Sequence, residues 1–330
     1  MHAACVCGAV GESICYSLNK PRNTFVKISA VPHLFQYQGS KRKLAKEILK
    51  FLPNHVFRIV EPFAGTGAIS LAASASGKAE RFWLNDINEP LINLVKLAVE
   101  NPLQLSESYK KIWISQEEDP SKYYLEIREL FNKTQDPNLF LYLLSRCVKG
   151  SVRYNSSGLF NQSPDKRRRG TQPDRMKKNI FGVSQLLKGK CYFTSYDYTK
   201  VFSLVRENDL IYIDPPYQGV CTRRDTRYSS QIDFDDFILE IDALNQKRAQ
   251  FIISYDGTRG AKQIGKSLPE QLGLSKIQLD AGRSSQSTLL GKNERTVESL
   301  YLSSALSDLF SESDIYKKST KKHEQLALSY

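Results

Sequence analysis

Residues 55–74 read "HVFRIVEPFAGTGAISLAAS", and residues 79–100 read "AERFWLNDINEPLINLVKLAVE". Each stretch opens with an apolar run of strand-forming types, breaks at a turn, and continues as a helix rich in Ala or Leu. Two such units in succession are the β-α-β-α alternation of a parallel sheet with helices packed on it. The first turn puts Gly65 and Gly67 where strand passes into helix. Glycine there permits positive φ and lets a ligand approach the backbone, beside the free N–H groups of a helix start. The third glycine of the dinucleotide fingerprint is missing, so a purely structural turn fits "GTG" as well as a nucleotide site does. Asp86, 19 residues beyond Gly67 at the end of the second strand, adds weight to the nucleotide reading, because a carboxylate there can accept from both ribose hydroxyls. Turn and acid together suggest an adenosine-containing cofactor, and the incomplete phosphate cradle favours S-adenosylmethionine over NAD.

The alternation pauses after residue 100 and returns near residue 190. Residues 105–146 are polar, aromatic-rich and helical in period, and residues 147–182 are turn-rich and basic. Strand patterns then reappear in "KCYFTSYDY" (190–198), "NDLIYIDPPY" (208–217), "RAQFIISYDG" (248–257) and "TVESLYLSS" (296–304), with a helical stretch over 233–248. Upstream, "FQYQGSKRKLAKEILKFL" (35–52) turns at Gly-Ser and becomes helical, with Leu44, Ile48, Leu49 and Leu52 on one face and lysines on the other. This reads as one doubly wound α/β domain in two sequence halves with a separate module between them. Residues 1–30 are expected to be a loosely attached extension without a secretory signal, and 304–330 a frayed polar tail.

Within "DPPY", Pro215 and Pro216 end the ladder because neither has an N–H to donate. The corner holds Asp214 and Tyr217 at a strand's carboxyl end, where open α/β sheets bind ligands. An ordinary proline turn is the plain alternative. The chemical reading is a clamp for a planar amine: the Asp214 carboxylate and the Pro215 carbonyl accept its two hydrogens while Tyr217 stacks on the ring. Two such acceptors would pull the nitrogen toward sp³ character and stabilise the charge that develops as a methyl group arrives.

Composition sets the partner class. The 330 residues carry 47 Lys and Arg against 35 Asp and Glu, a formal charge of +12, with 17 Tyr and 16 Phe to build a core. Such an excess favours nucleic acid first and an anionic membrane surface second, and no apolar run approaches spanning length. Cysteines at 5, 7, 15, 147, 191 and 221 lack a second pair at zinc spacing, so no metal site is expected and a reduced, cytosolic setting is.

Four motifs in order, "YQGSKRKL", "PFAGTG", "LNDIN" and "DPPY", resemble those of the DNA adenine-N6 methyltransferases, the α group that includes DNA adenine methylase and many type II restriction-modification methylases. The resemblance runs from about residue 35 to 303. It implies a Rossmann-like S-adenosylmethionine-dependent methyltransferase fold: catalytic domain over 31–100 and 190–303, and an inserted, mainly helical target-recognition domain over 101–189. It implies methylation of adenine N6 in a short double-stranded DNA sequence, with Asp214, Pro215, Pro216 and Tyr217 catalytic. Cofactor contacts are implied for Tyr37, Lys41, Glu61, Phe63, Gly65, Gly67, Asp86 and Asp214. "YQGSK" departs from the commoner "WAGGK", which bears on stacking at Tyr37, and a solvated helix lysine is the alternative for Lys41.

Between Asp165 and Lys178 lie Lys166, Arg167, Arg168, Arg169, Arg175, Lys177 and Lys178, against two acidic residues. A solvated loop is the alternative to DNA contact. The run adjoins "RYN", which relatives carry near their DNA-contacting region, so Arg153 and Asn155 join Lys166, Arg167, Arg168, Arg169, Lys177 and Lys178 as expected DNA contacts. Arg223 and Arg224, in "TRRDTRY", are expected to close over a flipped base or grip the backbone, or else belong to a mobile surface loop. The rival functions are cytosine-N4 methylation, RNA methylation and an inactive DNA-binding regulator. A cognate restriction endonuclease would be a genetic rather than a physical partner, and the bacterial cytoplasm or nucleoid the place of action.

Overall fold

The computed structural model describes residues 31–216, 232–260, 262–283 and 295–311. Strands β1 (Val56–Glu61), β2 (Ala79–Asn85), β3 (Cys191–Thr194), β4 (Asp209–Ile213) and β5 (Gln250–Arg259) are parallel neighbours in the order β3-β2-β1-β4-β5. β6 (Lys262–Ile264) folds back on β5, β8 (Arg295–Leu302) pairs antiparallel with β5, and β7 (Ser275–Arg283) pairs antiparallel with β8. From β1 the chain builds outward through β2 and β3, then crosses to the other side of β1 for β4. That reversal of strand order is where a crevice opens beyond the carboxyl ends.

Both faces of the sheet are covered, which is why its central strands are continuously apolar rather than alternating. Every residue of β4 is buried. Leu210 and Tyr212 face one core, and Ile211 and Ile213 the other. The first core is closed by α1 (Ala45–Ile48), α2 (Ala68–Ala75) and α3 (Glu89–Glu100), together with the helices that follow them. Those are α4 (Pro102–Ile114), α5 (Pro120–Thr134), α6 (Pro137–Arg146) and α7 (Pro173–Leu187), each opening on a proline at a position that needs no donor. The second core lies under α8 (Tyr198–Leu204) and α9 (Phe234–Gln246).

Several expectations change. The segment over 101–189 packs onto the sheet, since Phe140, Tyr142 and Ile180 share one buried cluster with Ile59, Leu94 and Val95. Residues from 173 onward are helix rather than turn, because Met176, Ile180, Val183 and Leu187 form an apolar stripe that the basic composition hides. Leu44, Ile48, Leu49 and Leu52 are buried as expected, but the helix is broken into short α and 3₁₀ turns. β7 has no counterpart in the sequence reading, although Ile277 and Leu279 alternate with polar residues as a one-sided strand should. The start of the expected tail is anchored. Ser303 caps α10 (Ser304–Ser307) and Leu306 is fully buried. Residues 1–30 and 312–330 lie outside the described residues.

The shared core makes a test. Phe140 is fully buried and stacks on Phe131 at 4.5 Å between ring centroids, with Phe160 edge-on to both. Phe140→Ala should cost about 3–5 kcal/mol. In urea, far-UV circular dichroism and tryptophan fluorescence should still report one coincident transition, not a separate early melting of the helices.

Candidate active site

The crevice at the carboxyl ends of β1 and β4 holds a cleft of about 360 Å³. Tyr37, Lys41, Glu61, Phe63, Gly65, Asp86, Asp214, Pro215 and Pro216 all line it. Gly67 does not; it starts α2 in a left-handed conformation (φ 65°), with Leu84 where a Cβ would need space. Gly65 has φ 53°, and a Cβ on it would stand 3.1 Å from the Tyr37 ring. The glycine thus lets an aromatic ring lie against the turn. Tyr217, Arg223 and Arg224 lie outside the described residues.

Each acid is held by a backbone donor or a cation. Glu61 accepts from the N–H of Ser70 at 2.7 Å, near the start of α2. Asp86 accepts from Gly65 N at 2.8 Å through one oxygen and from Asn88 N at 2.9 Å through the other. It therefore ties the glycine turn to the start of α3 (its Asn88 cap) while still facing the cleft. Lys41, expected on a solvent face or at the cofactor, is 7% exposed and donates to Asp214 Oδ1 at 2.7 Å. Glu298 Oε2 lies 3.3 Å from the same ammonium.

Burial dominates the electrostatics. Desolvation pushes Glu61 up to about 7, against the Ser70 hydrogen bonds that oppose it. It lifts Asp86 to about 6 against the Asn88 and Gly65 N–H groups, and Asp214 to about 6 against the Lys41 ammonium. A cleft in which several carboxylates outweigh the Lys41 ammonium favours a ligand that brings positive charge.

Two contributors escape the sequence reading. Asn85 is fully buried; its amide donates to the carbonyls of Pro62 and Tyr196, and its Oδ1 accepts from Thr194 Oγ1 and Tyr196 N. It locks the glycine loop to the end of β3, and only its place beside Asp86 in "LND" could have signalled it. Glu298 comes from β8, more than 200 residues from the glycine turn, and no local pattern marks it.

The expected DNA contacts divide. The turn over 165–171 is pinned from inside: Asp165, 6% exposed, accepts from Arg167, Gln116 donates to the Arg169 carbonyl, and Tyr109 donates to the Thr171 carbonyl. Lys166, Arg167, Arg168 and Arg169 are exposed on its outside. Arg168 also reaches Gln36, next to Tyr37 on the cleft wall, at 3.4 Å. Lys178 is exposed on α7, while Lys177 pairs with Glu107 of α4 at 3.2 Å. Asn155 uses its side-chain oxygen to accept from Ser157 N and Leu159 N, which gives it a turn-forming role; Arg153 is partly buried beside it.

Residues 37–278 match the family described as D12 class N6 adenine-specific DNA methyltransferase. Over 237 residues the chain is 31% identical to the DNA N-6-adenine-methyltransferase of Escherichia phage P1, an alignment covering 70% of this chain and 29% of the phage protein. Over 186 residues it is 31% identical to the DNA adenine methylase of Haemophilus influenzae, covering 55% of this chain and 62% of that one. The chain thus spans less than two thirds of the length of these relatives. The solved rRNA methyltransferase aviRa from Streptomyces viridochromogenes overlaps 81% of this chain and 85% of its own at a TM-score of 0.34 and 11% identity, a likeness too loose to carry an argument.

The raised carboxyls fix the sign of a pH effect. A carboxyl whose folded pKa exceeds its unfolded value binds its proton more tightly when folded, so its ionisation destabilises the fold as pH rises through that interval. The ligand-free protein should therefore lose stability between about pH 4 and pH 7 at these sites, and Asp86→Asn should show a shallower decline. Thermal melts across that range, run on both proteins, measure the difference.

Proposed function

This chain belongs to the D12 class N6 adenine-specific DNA methyltransferases, and from that premise we propose that it methylates adenine N6 within a short double-stranded DNA sequence, using S-adenosylmethionine. The observation that carries the reading is that Asp214 of the "DPP" corner and the Gly65–Asp86 turn face one cleft, with Lys41 between walls drawn from both sequence halves. The donor set suits this cofactor. Asp86 offers its carboxylate to a ribose, Tyr37 and Phe63 offer ring surface, and the excess of carboxylate over ammonium suits a sulfonium. Lys41 is the cation for the methionine carboxylate, and Glu61 is an acceptor for the methionine ammonium. When bound, S-adenosylmethionine supplies an electrophilic methyl group.

The protein's own part is positioning. Asp214 and the Pro215 carbonyl accept the hydrogens of the amine, and Asp214 needs no rearrangement because the prolines hold the corner. The target adenine must leave the stack to reach that corner, at a cost of a few kcal/mol that contacts elsewhere must offset. The pinned basic turn beside the cleft wall suits that task, since its guanidinium groups stand on a backbone that is already ordered. A protective methylase acting beside a restriction endonuclease is the setting we infer, in the bacterial cytoplasm or nucleoid, because type II restriction-modification methylases share this motif set.

Sequencing with modified-base detection, on DNA from cells expressing the protein, should find N6-methyladenine at one short sequence. Methyl groups on cytosine N4, on RNA alone, or nowhere would overturn the reading. Asp214→Ala should lower methyl transfer at least about 100-fold in a tritiated-methyl assay while DNA binding persists. Replacing Arg167, Arg168 and Arg169 together by alanine should weaken binding to all duplexes alike. The slope of log K against log salt should flatten by roughly 0.9 for each phosphate that is no longer neutralised. Weakening confined to the target duplex would instead assign one arginine to a base edge.

A further inference from the structure

The pairing of β5 with β8 slips between Ser254 and Gly257. Within this bulge Asp256 adopts φ 52°, a left-handed conformation uncommon for a non-glycine residue. Such strain persists where surrounding contacts over-determine it, and here they do. Asp256 is 2% exposed, and its Oδ2 accepts from Ser267 Oγ at 2.7 Å and from Lys276 Nζ at 3.1 Å. The next residue must be glycine, since a Cβ on Gly257 would stand 2.3 Å from the carbonyl oxygen of Val297. Gly257 is the register partner of Glu298. Bulges beside sites re-aim side chains. This one brings β8 close against β5 and carries the Glu298 carboxylate into the cleft, with Oε2 3.5 Å from Ser254 Oγ and 3.3 Å from Lys41 Nζ.

The Lys41 ammonium therefore lies between two carboxylates, Asp214 at 2.7 Å and Glu298 at 3.3 Å. We propose that Glu298 is a positioning residue: by sharing Lys41 it keeps Asp214 from being neutralised by a private ion pair, so that Asp214 remains a strong acceptor for the incoming amine. The proposal rests on the methyltransferase reading above for its use, but not for its electrostatics. A lysine committed wholly to Asp214 would occupy an oxygen the amine needs and drain its negative charge. A second carboxylate draws part of the ammonium's field away and adds like-charge repulsion of its own. The described charged groups that bear on Asp214 are Lys41 from the turn before α1, Glu298 from β8, and Glu61 from the end of β1. Of the two acids, only Glu298 contacts the same ammonium.

Glu298→Gln removes the charge and keeps the shape, and Glu298→Asp keeps the charge but withdraws it by one methylene. Thermal melts establish that each variant folds. In ligand-free protein labelled at aspartate Cγ, NMR titration reads Asp214 directly, with its resonance assigned by its disappearance in Asp214→Asn. The midpoint, about 6 in the parent, should fall by on the order of one unit in Glu298→Gln. Glu298→Asp should lie between the two. Single-turnover methyl transfer at saturating DNA and cofactor should slow in Glu298→Gln, by up to about tenfold, since one pKa unit of acceptor strength changes a rate by no more than a factor of ten. An Asp214 midpoint that does not move in folded Glu298→Gln overturns the proposal. Should that variant fail to fold, an unmoved midpoint in Glu298→Asp does so instead. The titration uses neither DNA nor cofactor, so a parent protein that methylates nothing would sink the proposed function while the midpoint still decides the role of Glu298.

Discussion

The cleft depends on one pairing across the chain, the parallel ladder between β1 and β4, with Ile59 opposite Leu210 and Val60 opposite Ile211. Arg58 pins its amino end, where Nε and Nη2 reach the two carboxylate oxygens of Asp209 at 2.7 and 2.6 Å. Such a fork holds direction as well as distance, and Asp209 is almost fully buried beneath it. Parallel strands that begin level also end level, so the chain after Glu61 and the chain after Ile213 emerge at the same edge. Their continuations part there, one toward β2 and the other toward β5, and the space between them is the cleft.

What fills the wall of that space is costly to the folded protein. Glu61, Asp86 and Asp214 are held where water solvates them poorly, and each has its proton affinity raised by burial. A sheet shaped only by stability would place apolar side chains at these positions. Function favours the acids, since a cation entering the cleft relieves a strain that the ligand-free fold carries. Lys41 offsets part of it, and its sharing between Asp214 and Glu298 links the β4 corner to β8.

The insertion contributes rigidity as well as charge. Inside it, Arg146 is 2% exposed and donates to Gln116, which also receives the Tyr142 hydroxyl. A buried hydrogen-bond network of this kind fixes the backbone around it. The turn with Arg167, Arg168 and Arg169 sits directly on that network. The same segment is welded to the cleft wall. Gln38 N donates to the Gly150 carbonyl, and Gly150 (φ 59°) lies so close to Gln36 that no Cβ fits. Charge on the outer surface and ring surface at Tyr37 are therefore parts of one packed unit.

The sequence by itself determined the strand–turn–helix units, the proline corner and the acid at the end of β2. Each of these is written in neighbouring residues: an apolar run, a glycine that must take positive φ, a proline that cannot pair. It also marked Tyr37, Lys41, Gly65, Asp86 and Asp214 by motif, and all of them line the cleft. What only the tertiary structure decided are relations between distant segments. Lys41 looks like a surface helix lysine until β4 and β8 bring Asp214 and Glu298 to it. Glu298 has no local mark because a register slip in another strand aims it. Asn85 matters through hydrogen bonds to Pro62 and Tyr196, contacts that no periodicity encodes. Composition alone leaves the basic run open between ordered and solvated; Asp165 within it, with Tyr109 of α4 and Gln116 just after that helix, orders its backbone. Local chemistry writes elements into sequence, whereas buried polar partners are chosen by the packing that encloses them.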